Sequence, residues 1–144
     1  MSAETRVDFY LLAGDNIKQL QLFCCRLTEK AWKLGHRVWI RTADEHEARQ
    51  LDDLLWSFND GSFLPHAVVD DAQAVHSPVL IGSQPPPSAF DLLINLAIDV
   101  PPQAGHVSRI AEILNDNAEL KQQGRARYAY YDKNNYTLEH HTIN

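Results

Sequence analysis

The chain has 144 residues and a formal charge of −6 at pH 7, with 44% apolar and 22% charged residues. This length fits one domain with one core, and the composition is that of an ordinary folded protein rather than a disordered or collagen-like chain. No apolar run approaches the roughly 20 residues of a membrane span, and the start MSAETRVDFYLLAG lacks a secretion signal, so we expect a cytoplasmic protein.

The first half of the chain alternates strand-like and helix-like segments. Arg6–Leu12 is apolar and aromatic and predicts a strand that ends at the AGDN turn. Apolar residues then recur every three or four positions between Asp15, a candidate N-cap, and Gly35. Residues 37–42 predict a second strand, and Asp44 can cap a second helix. Strands and helices joined by short connections are typical of a parallel sheet with right-handed crossovers.

The second half continues with two strands, a segment of open assignment and a last helix. Residues 78–83 and 89–97 predict strands, and the second is so apolar that a central position is expected. Residues 106–116 fit a helix and, less well, a strand. A final helix begins at Asp116 or Asn117 and ends at the KNN sequence. We expect a single α/β domain with helices on both faces of a mostly parallel sheet.

Cofactor, metal and catalytic motifs are missing from the sequence. No glycine-rich phosphate loop follows the first strand, and none of the seven histidines has metal-ligand spacing. The cluster EHH at 139–141 lies in a segment, 137–144, that we expect to be a solvated, flexible tail. Cys24 and Cys25 lie on or beside the apolar face of the first helix, where a thiol is inert. The sequence therefore predicts no cofactor, no metal and no catalytic activity, and the alternative is a small-molecule or nucleotide-binding enzyme with its site at the carboxyl ends of the strands.

Two recognition features remain. Lys121, Arg125 and Tyr128 are spaced by four and three residues, so they share one face of the last helix. Such a face suits a short acidic peptide that ends in an apolar residue and a free carboxylate, and the alternative is a solvated helix end with a few cations. Gly124, within this helix, leaves room for close approach of a partner.

The second feature is WSFNDGSFLPH, at residues 56–66. Trp56 lies near the end of the second helix, Phe63 follows a Gly-Ser turn, and Pro65 stiffens the chain after it. Large aromatic residues in this setting are typical protein-binding anchors, and the alternative is that both rings cover the edge of the sheet. The acidic net charge argues against direct nucleic-acid binding, which needs many phosphate-contacting cations.

In order along the chain, the segments FYLL, AWKLGHRVWI, ARQLDDLLWSF, SFLPH, DLLINL, ARYAYY and LEHH resemble the chi subunit family of bacterial DNA polymerase III holoenzyme. The resemblance implies a Rossmann-like α/β fold without a nucleotide site, and a non-catalytic replisome adaptor. Such an adaptor binds the acidic C-terminal tail of single-stranded-DNA-binding protein, which ends in Asp residues and a final Pro-Phe, and reaches the clamp loader through the psi subunit. The family also favours a strand over residues 108–114.

The resemblance places the tail-binding positions of the family on Leu114, Lys121, Arg125 and Tyr128. The two cations would pair with the tail's acids and terminal carboxylate, and Leu114 and Tyr128 would wall the Phe pocket. A further basic position of the family falls on Ala129, and compensation by Arg127 or Lys133 is left open.

The surface of the family that faces psi falls on a second set of residues, and in some relatives a helicase uses the same surface. These residues are Trp56, Phe63, Pro65 and His66. The resemblance therefore implies two partners on two separate faces of the domain.

Overall fold

Alternating strands and helices build the fold, as the sequence pattern predicts. The computed structural model describes residues 5–59, 61, 64–69, 77–86, 89–102 and 104–143. Its elements, in chain order, are β1 (Arg6–Leu12), α1 (Ile17–Lys33), β2 (Val38–Arg41), α2 (Glu45–Ser57), β3 (His66–Val68), β4 (Val79–Gly82), β5 (Leu92–Asn95), β6 (Arg109–Leu114), α3 (Ala118–Lys133) and β7 (Thr137–Ile143). None of the described helices is long and apolar enough to cross a membrane.

The seven strands of the described residues lie in one parallel sheet, in the order β3-β4-β2-β5-β6-β1-β7. Side chains alternate across it, so Ile40 packs in the cluster beneath α1 and α2 while its neighbour Trp39 packs in the cluster beneath α3. β5 lies near the middle of the sheet with all four residues buried. The predicted single domain, with a parallel sheet and helices on both faces, is confirmed.

Side-chain caps fix where the helices begin. The Asp44 carboxylate accepts the backbone N–H of Glu47 at 2.8 Å, so the predicted cap of α2 is confirmed. α1 is capped one residue later than predicted, by Asn16 rather than Asp15. Of the two candidates for α3, Asn117 is the cap, accepting from the backbone three residues on at 3.0 Å.

Two strands differ from the sequence prediction. Thr137–Ile143, which we expected in a flexible, solvated tail, is β7, and it pairs with β1 along its whole length. His66–Val68 is a three-residue strand, β3, at the other edge of the sheet. The open segment 106–116 contains a strand, β6, as the family resemblance favours.

Candidate functional site

A hollow of about 250 Å³ lies between α3 and the strands β1, β6 and β7. We call it the α3 pocket. It brings together all four residues predicted for tail binding. The full lining is Phe9, Leu11, Leu114, Lys121, Gly124, Arg125, Tyr128 and His140.

The two cations of the α3 pocket differ in what they already bind. Lys121 Nζ lies 3.2 Å from the Asp116 carboxylate, which also accepts the backbone N–H of Gly14 at 2.7 Å. The exposed Arg125 forms no ion pair or hydrogen bond with any residue that the structure describes. The Arg125 guanidinium, with its fork of donors, is therefore the readier anion-binding group of the two.

Aromatic rings form one wall of the α3 pocket. The ring of Tyr128 meets Phe9 edge-on, with centroids 5.4 Å apart, and lies 5.2 Å from the ring of His140. Phe9 is only 2% exposed, and its ring stacks on His140 at 5.9 Å. A buried apolar floor beside exposed cations suits a ligand that carries both a ring and negative charge.

Gly124 lets α3 lie directly on β6. A Cβ atom at Gly124 would be 2.4 Å from Cδ1 of Leu114, which is far inside van der Waals contact. The sequence predicts close approach of a partner at this glycine. The structure shows that the group approaching it is Leu114 of the same chain, the residue that walls the pocket.

A buried polar network ties α3 to the sheet. The Glu112 carboxylate accepts Arg127 Nε at 3.0 Å, the Tyr131 hydroxyl at 2.7 Å and the Asn95 amide at 3.0 Å. Arg127 also donates to the Ile98 carbonyl at 2.7 Å. Burial raises the pKa of the Glu112 carboxyl, against the opposing effect of Arg127 and the hydrogen bonds, and burial also raises the pKa of Tyr131.

Neither Arg127 nor Lys133 supplies to the pocket the positive charge that is missing at Ala129. Arg127 is 5% exposed and committed to Glu112, so it does not reach the α3 pocket. Lys133 lies exposed in the last turn of α3 and does not line the pocket either. Among the described residues, Lys121 and Arg125 are thus the only Lys or Arg side chains that line it.

A second buried carboxylate, which the sequence analysis missed, anchors β7. The fully buried Asp8 side chain accepts Arg109 Nε at 2.6 Å, His141 Nε2 at 2.8 Å and Arg6 at 3.0 Å. Burial acts to raise the pKa of Asp8, but the hydrogen bonds from His141, Arg109 and Arg6 outweigh it and hold that pKa below its usual value. The only sequence signal was an acid inside the apolar strand RVDFYLL.

The second predicted surface is centred on Trp56. Its indole, in the last turn of α2, is 67% exposed, and Pro65 is exposed nearby. The side chain of His66 is fully buried, with its ring centroid 4.4 Å from that of Trp56 and Nδ1 2.7 Å from the Leu64 carbonyl oxygen. His66 therefore supports Trp56 from beneath and does not itself reach the surface. Phe63, the remaining member of this predicted set, lies outside the described residues.

Two other hollows contain no predicted site residue apart from Leu114. The hollow at the carboxyl ends of β5 and β6 is about 60 Å³ and is lined by groups such as Asn95, Leu114 and Arg127. One of about 250 Å³ lies on the opposite face of the sheet from α3, between α1 and the start of β6. Its Arg109 is already bonded to Asp8.

The two cysteines are poorly placed to act as nucleophiles. Burial raises the pKa of the Cys24 thiol well above its usual value and that of Cys25 to about 12, so both are protonated at neutral pH. Within the part of the chain that the structure describes, no three His, Cys, Asp or Glu side chains are grouped to hold a metal ion.

Residues 5–139 match the family model described as "DNA polymerase III chi subunit, HolC". The chain is 39% identical to the DNA polymerase III subunit chi of Pseudomonas aeruginosa, with 96% of this chain and 97% of the relative covered. It is 30% identical to the DNA polymerase III subunit chi of Escherichia coli, with 85% of this chain and 88% of the relative covered.

Solved structures with the same fold are more distant in sequence. T4 UvsW superposes with a TM-score of 0.68 at 8% identity, over 97% of this chain and 41% of that one. A structure of S. cerevisiae dbp5 bound to gle1 and ip6 superposes with a TM-score of 0.63 at 12% identity, over 96% and 42%. The chain thus spans about two fifths of the length of these proteins, and at this identity the likeness concerns the fold alone.

Proposed function

This chain belongs to the DNA polymerase III chi subunit family, and from that premise we propose that it is a non-catalytic adaptor with two partners. The α3 pocket binds the acidic C-terminal tail of single-stranded-DNA-binding protein. The Trp56 surface binds the psi subunit of the clamp loader, or a helicase in its place. The adaptor thereby ties the replication machinery to the protein that covers single-stranded DNA.

The observation that carries the first half of this proposal is the composition of the α3 pocket. The tail has three chemical parts: aspartates, a terminal phenylalanine ring and a free carboxylate. The pocket offers an apolar, aromatic hollow for the ring, beside Lys121 and Arg125 for the negative charges. Lys121 must break its ion pair with Asp116 before it can bind a ligand carboxylate. Arg125 has no ion pair to break with any residue that the structure describes. Arg125 is therefore the main electrostatic anchor.

Calorimetry with a synthetic acidic peptide ending in Pro-Phe tests this assignment. Arg125→Ala should weaken binding by about 1.5–3 kcal/mol, or roughly ten- to 150-fold, because a charged hydrogen bond is lost. Wild-type affinity should also fall as salt rises, since the Debye length is only about 8 Å at physiological ionic strength. Arg26→Ala, which removes an exposed cation from α1, is the matched control and should bind normally. Normal binding by Arg125→Ala would contradict the proposal.

The second half of the proposal depends on the exposed indole. Trp is among the side chains that contribute most at protein interfaces, and Trp56 is held over His66 on a helix end rather than on a free loop. Trp56→Ala should abolish capture of purified psi while leaving tail-peptide binding intact. Leu34→Ala is the matched control, because Leu34 is 68% exposed but lies at the C-cap of α1. Loss of capture in both variants would argue against a specific Trp56 surface.

An enzyme with a site at the carboxyl ends of the strands is the competing function. Ligand pockets usually measure about 300–1,000 Å³, whereas the hollow at the ends of β5 and β6 is about 60 Å³. Two of its polar groups, Asn95 and Arg127, are bonded to the buried Glu112. A thermal-shift screen separates the two functions. The tail peptide at 100 times its Kd should stabilise the fold by about 2.7 kcal/mol, and nucleotides should leave the melting temperature unchanged.

A further inference from the structure

His140 lies in the wall of the α3 pocket, although the sequence analysis placed it in a solvated tail. The parallel register of β7 sets His140 beside Phe9 of β1, and the two rings stack at 5.9 Å with an angle of 25° between their planes. The imidazole also lies 5.2 Å from the Tyr128 ring. It is exposed, so a ligand in the pocket can reach it.

The charged and titratable groups around His140 are all cationic or phenolic on the pocket side. α3 presents Lys121, Arg125 and Tyr128 to the pocket, and β1 presents only apolar side chains. The neighbours of His140 on β7 point to the opposite face, where His141 is bonded to Asp8.

No acidic residue is among the described residues that line the pocket. The nearest acid that the structure pairs with a lining residue is Asp116, which is bound to Lys121. An acidic ligand therefore brings added negative charge to the wall at His140, and that charge favours a protonated imidazole.

We propose that His140 is a third cation of the tail site, present only when protonated, so that an acidic peptide C-terminus binds with uptake of a proton. This inference rests on the proposed function of the pocket. Imidazole ordinarily changes charge between pH 5 and 8, whereas Asp and C-terminal carboxylates stay ionised in that range. Affinity for the tail therefore rises as the pH falls from 8 to 5.5. His140 restores part of the positive charge that Ala129 does not supply.

Calorimetry in pairs of buffers with different ionisation enthalpies measures the proton uptake directly. Wild-type protein should take up a fraction of a proton near pH 7 and bind the acidic Pro-Phe peptide about fivefold more tightly at pH 5.5 than at pH 8, the effect of one partly exposed ion pair. His140→Phe keeps a flat ring against Phe9 without the charge, and both effects should disappear. His140→Gln is a second uncharged variant, in case the larger ring alters the wall.

The adjacent histidine gives a matched control on the same strand. His141→Gln retains a donor for Asp8 on the other face of β7 and should take up protons as the wild type does. Wild-type binding without proton uptake, or unchanged uptake in both His140 variants, would overturn the role of His140 while leaving the tail site standing. Failure of the wild type to bind the peptide at any pH would overturn the tail site itself.

Discussion

Replacing Gly124 by Ala should destabilise this protein, although Ala is the better helix former. The new Cβ would lie 2.4, 2.9 and 3.2 Å from Cδ1, Cδ2 and Cγ of Leu114, against an ordinary carbon–carbon separation of about 3.5–4.0 Å. Because both methyl groups and the branch carbon are crowded, rotation about χ2 alone does not relieve the contact. Leu114 must change its χ1 rotamer, or α3 must lift from the sheet.

Two opposing contributions determine how much Gly124→Ala changes the unfolding free energy. Ala in place of Gly within a helix contributes about 1 kcal/mol of stability. Overpacking a buried contact costs about 1–3 kcal/mol, and Leu114 cannot retreat with its backbone because β6 is paired with Leu11 of β1 at that position. The net result is a loss of about 1 kcal/mol in unfolding free energy, or a melting temperature about 3 °C lower for a chain of this size.

The displaced Leu114 side chain should also alter the α3 pocket. Leu114 lines two hollows, and the α3 pocket, at about 250 Å³, has far more room than the one of about 60 Å³ at the carboxyl ends of the strands. The methyl groups therefore move into the space proposed for the terminal ring of the tail. Gly124→Ala should bind the tail peptide about fivefold more weakly, equivalent to about 1 kcal/mol of lost fit.

Urea unfolding of four proteins tests the reasoning: wild type, Gly124→Ala, Leu114→Ala and the double variant. In the Leu114→Ala background the new Cβ no longer meets a branched side chain, so Ala at position 124 should stabilise the fold by up to about 1 kcal/mol. The sign of the substitution thus reverses between backgrounds, with a coupling energy of about 2 kcal/mol. Equal destabilisation in both backgrounds would refute the contact with Leu114 as the cause.

The two buried carboxylates give the remaining predictions. Arg127→Met leaves the buried Glu112 without its guanidinium partner, so urea unfolding at pH 7 should show a loss of about 3–5 kcal/mol. The exposed Arg125→Ala should change stability by less than about 0.5 kcal/mol. The pKa of Asp8 in the folded protein lies below its usual value. The ionised Asp8 carboxylate therefore stabilises the fold fully above about pH 4, and this stabilisation is lost as the pH falls through the lower, folded-state pKa. Asp8→Asn should therefore lower the unfolding free energy by about 1.5–3 kcal/mol at neutral pH. It should also flatten the decline in unfolding free energy between about pH 4 and 2. A decline as steep as that of the wild type would contradict the role of Asp8.

Local sequence signals predicted the elements whose stabilising contacts are local. β1 matches its predicted bounds, Arg6–Leu12, and α2 begins at the Asp44 cap, because an apolar run and a capping side chain act within a few residues. The spacing of Lys121, Arg125 and Tyr128 placed them on one face of α3, and the structure brings all three to one pocket.

Features that depend on distant partners could not be predicted in the same way. β7 is an edge strand of mixed polarity, and the strand it pairs with, β1, lies more than a hundred residues earlier in the chain. Arg127 looks in the sequence like one more cation of a basic helix, yet it is buried because Glu112 lies beneath it on the sheet. For the same reason His140 gave no local signal of its place in the pocket.

The buried network also bears on why the proposed recognition site lies on α3 rather than at the carboxyl ends of the strands. α/β folds usually bind ligands at the carboxyl ends of the strands, and here those ends are occupied by the protein's own polar groups. Arg41 donates to Asn95 at 3.0 Å and to Asp99 at 2.8 Å, and Asn95 donates in turn to Glu112. Because Glu112 then holds Arg127, groups that could meet a ligand instead fix α3 to the sheet. A helix fixed from beneath by ionic contacts can carry a cationic outer face, and a fixed cationic face is what a short acidic peptide requires.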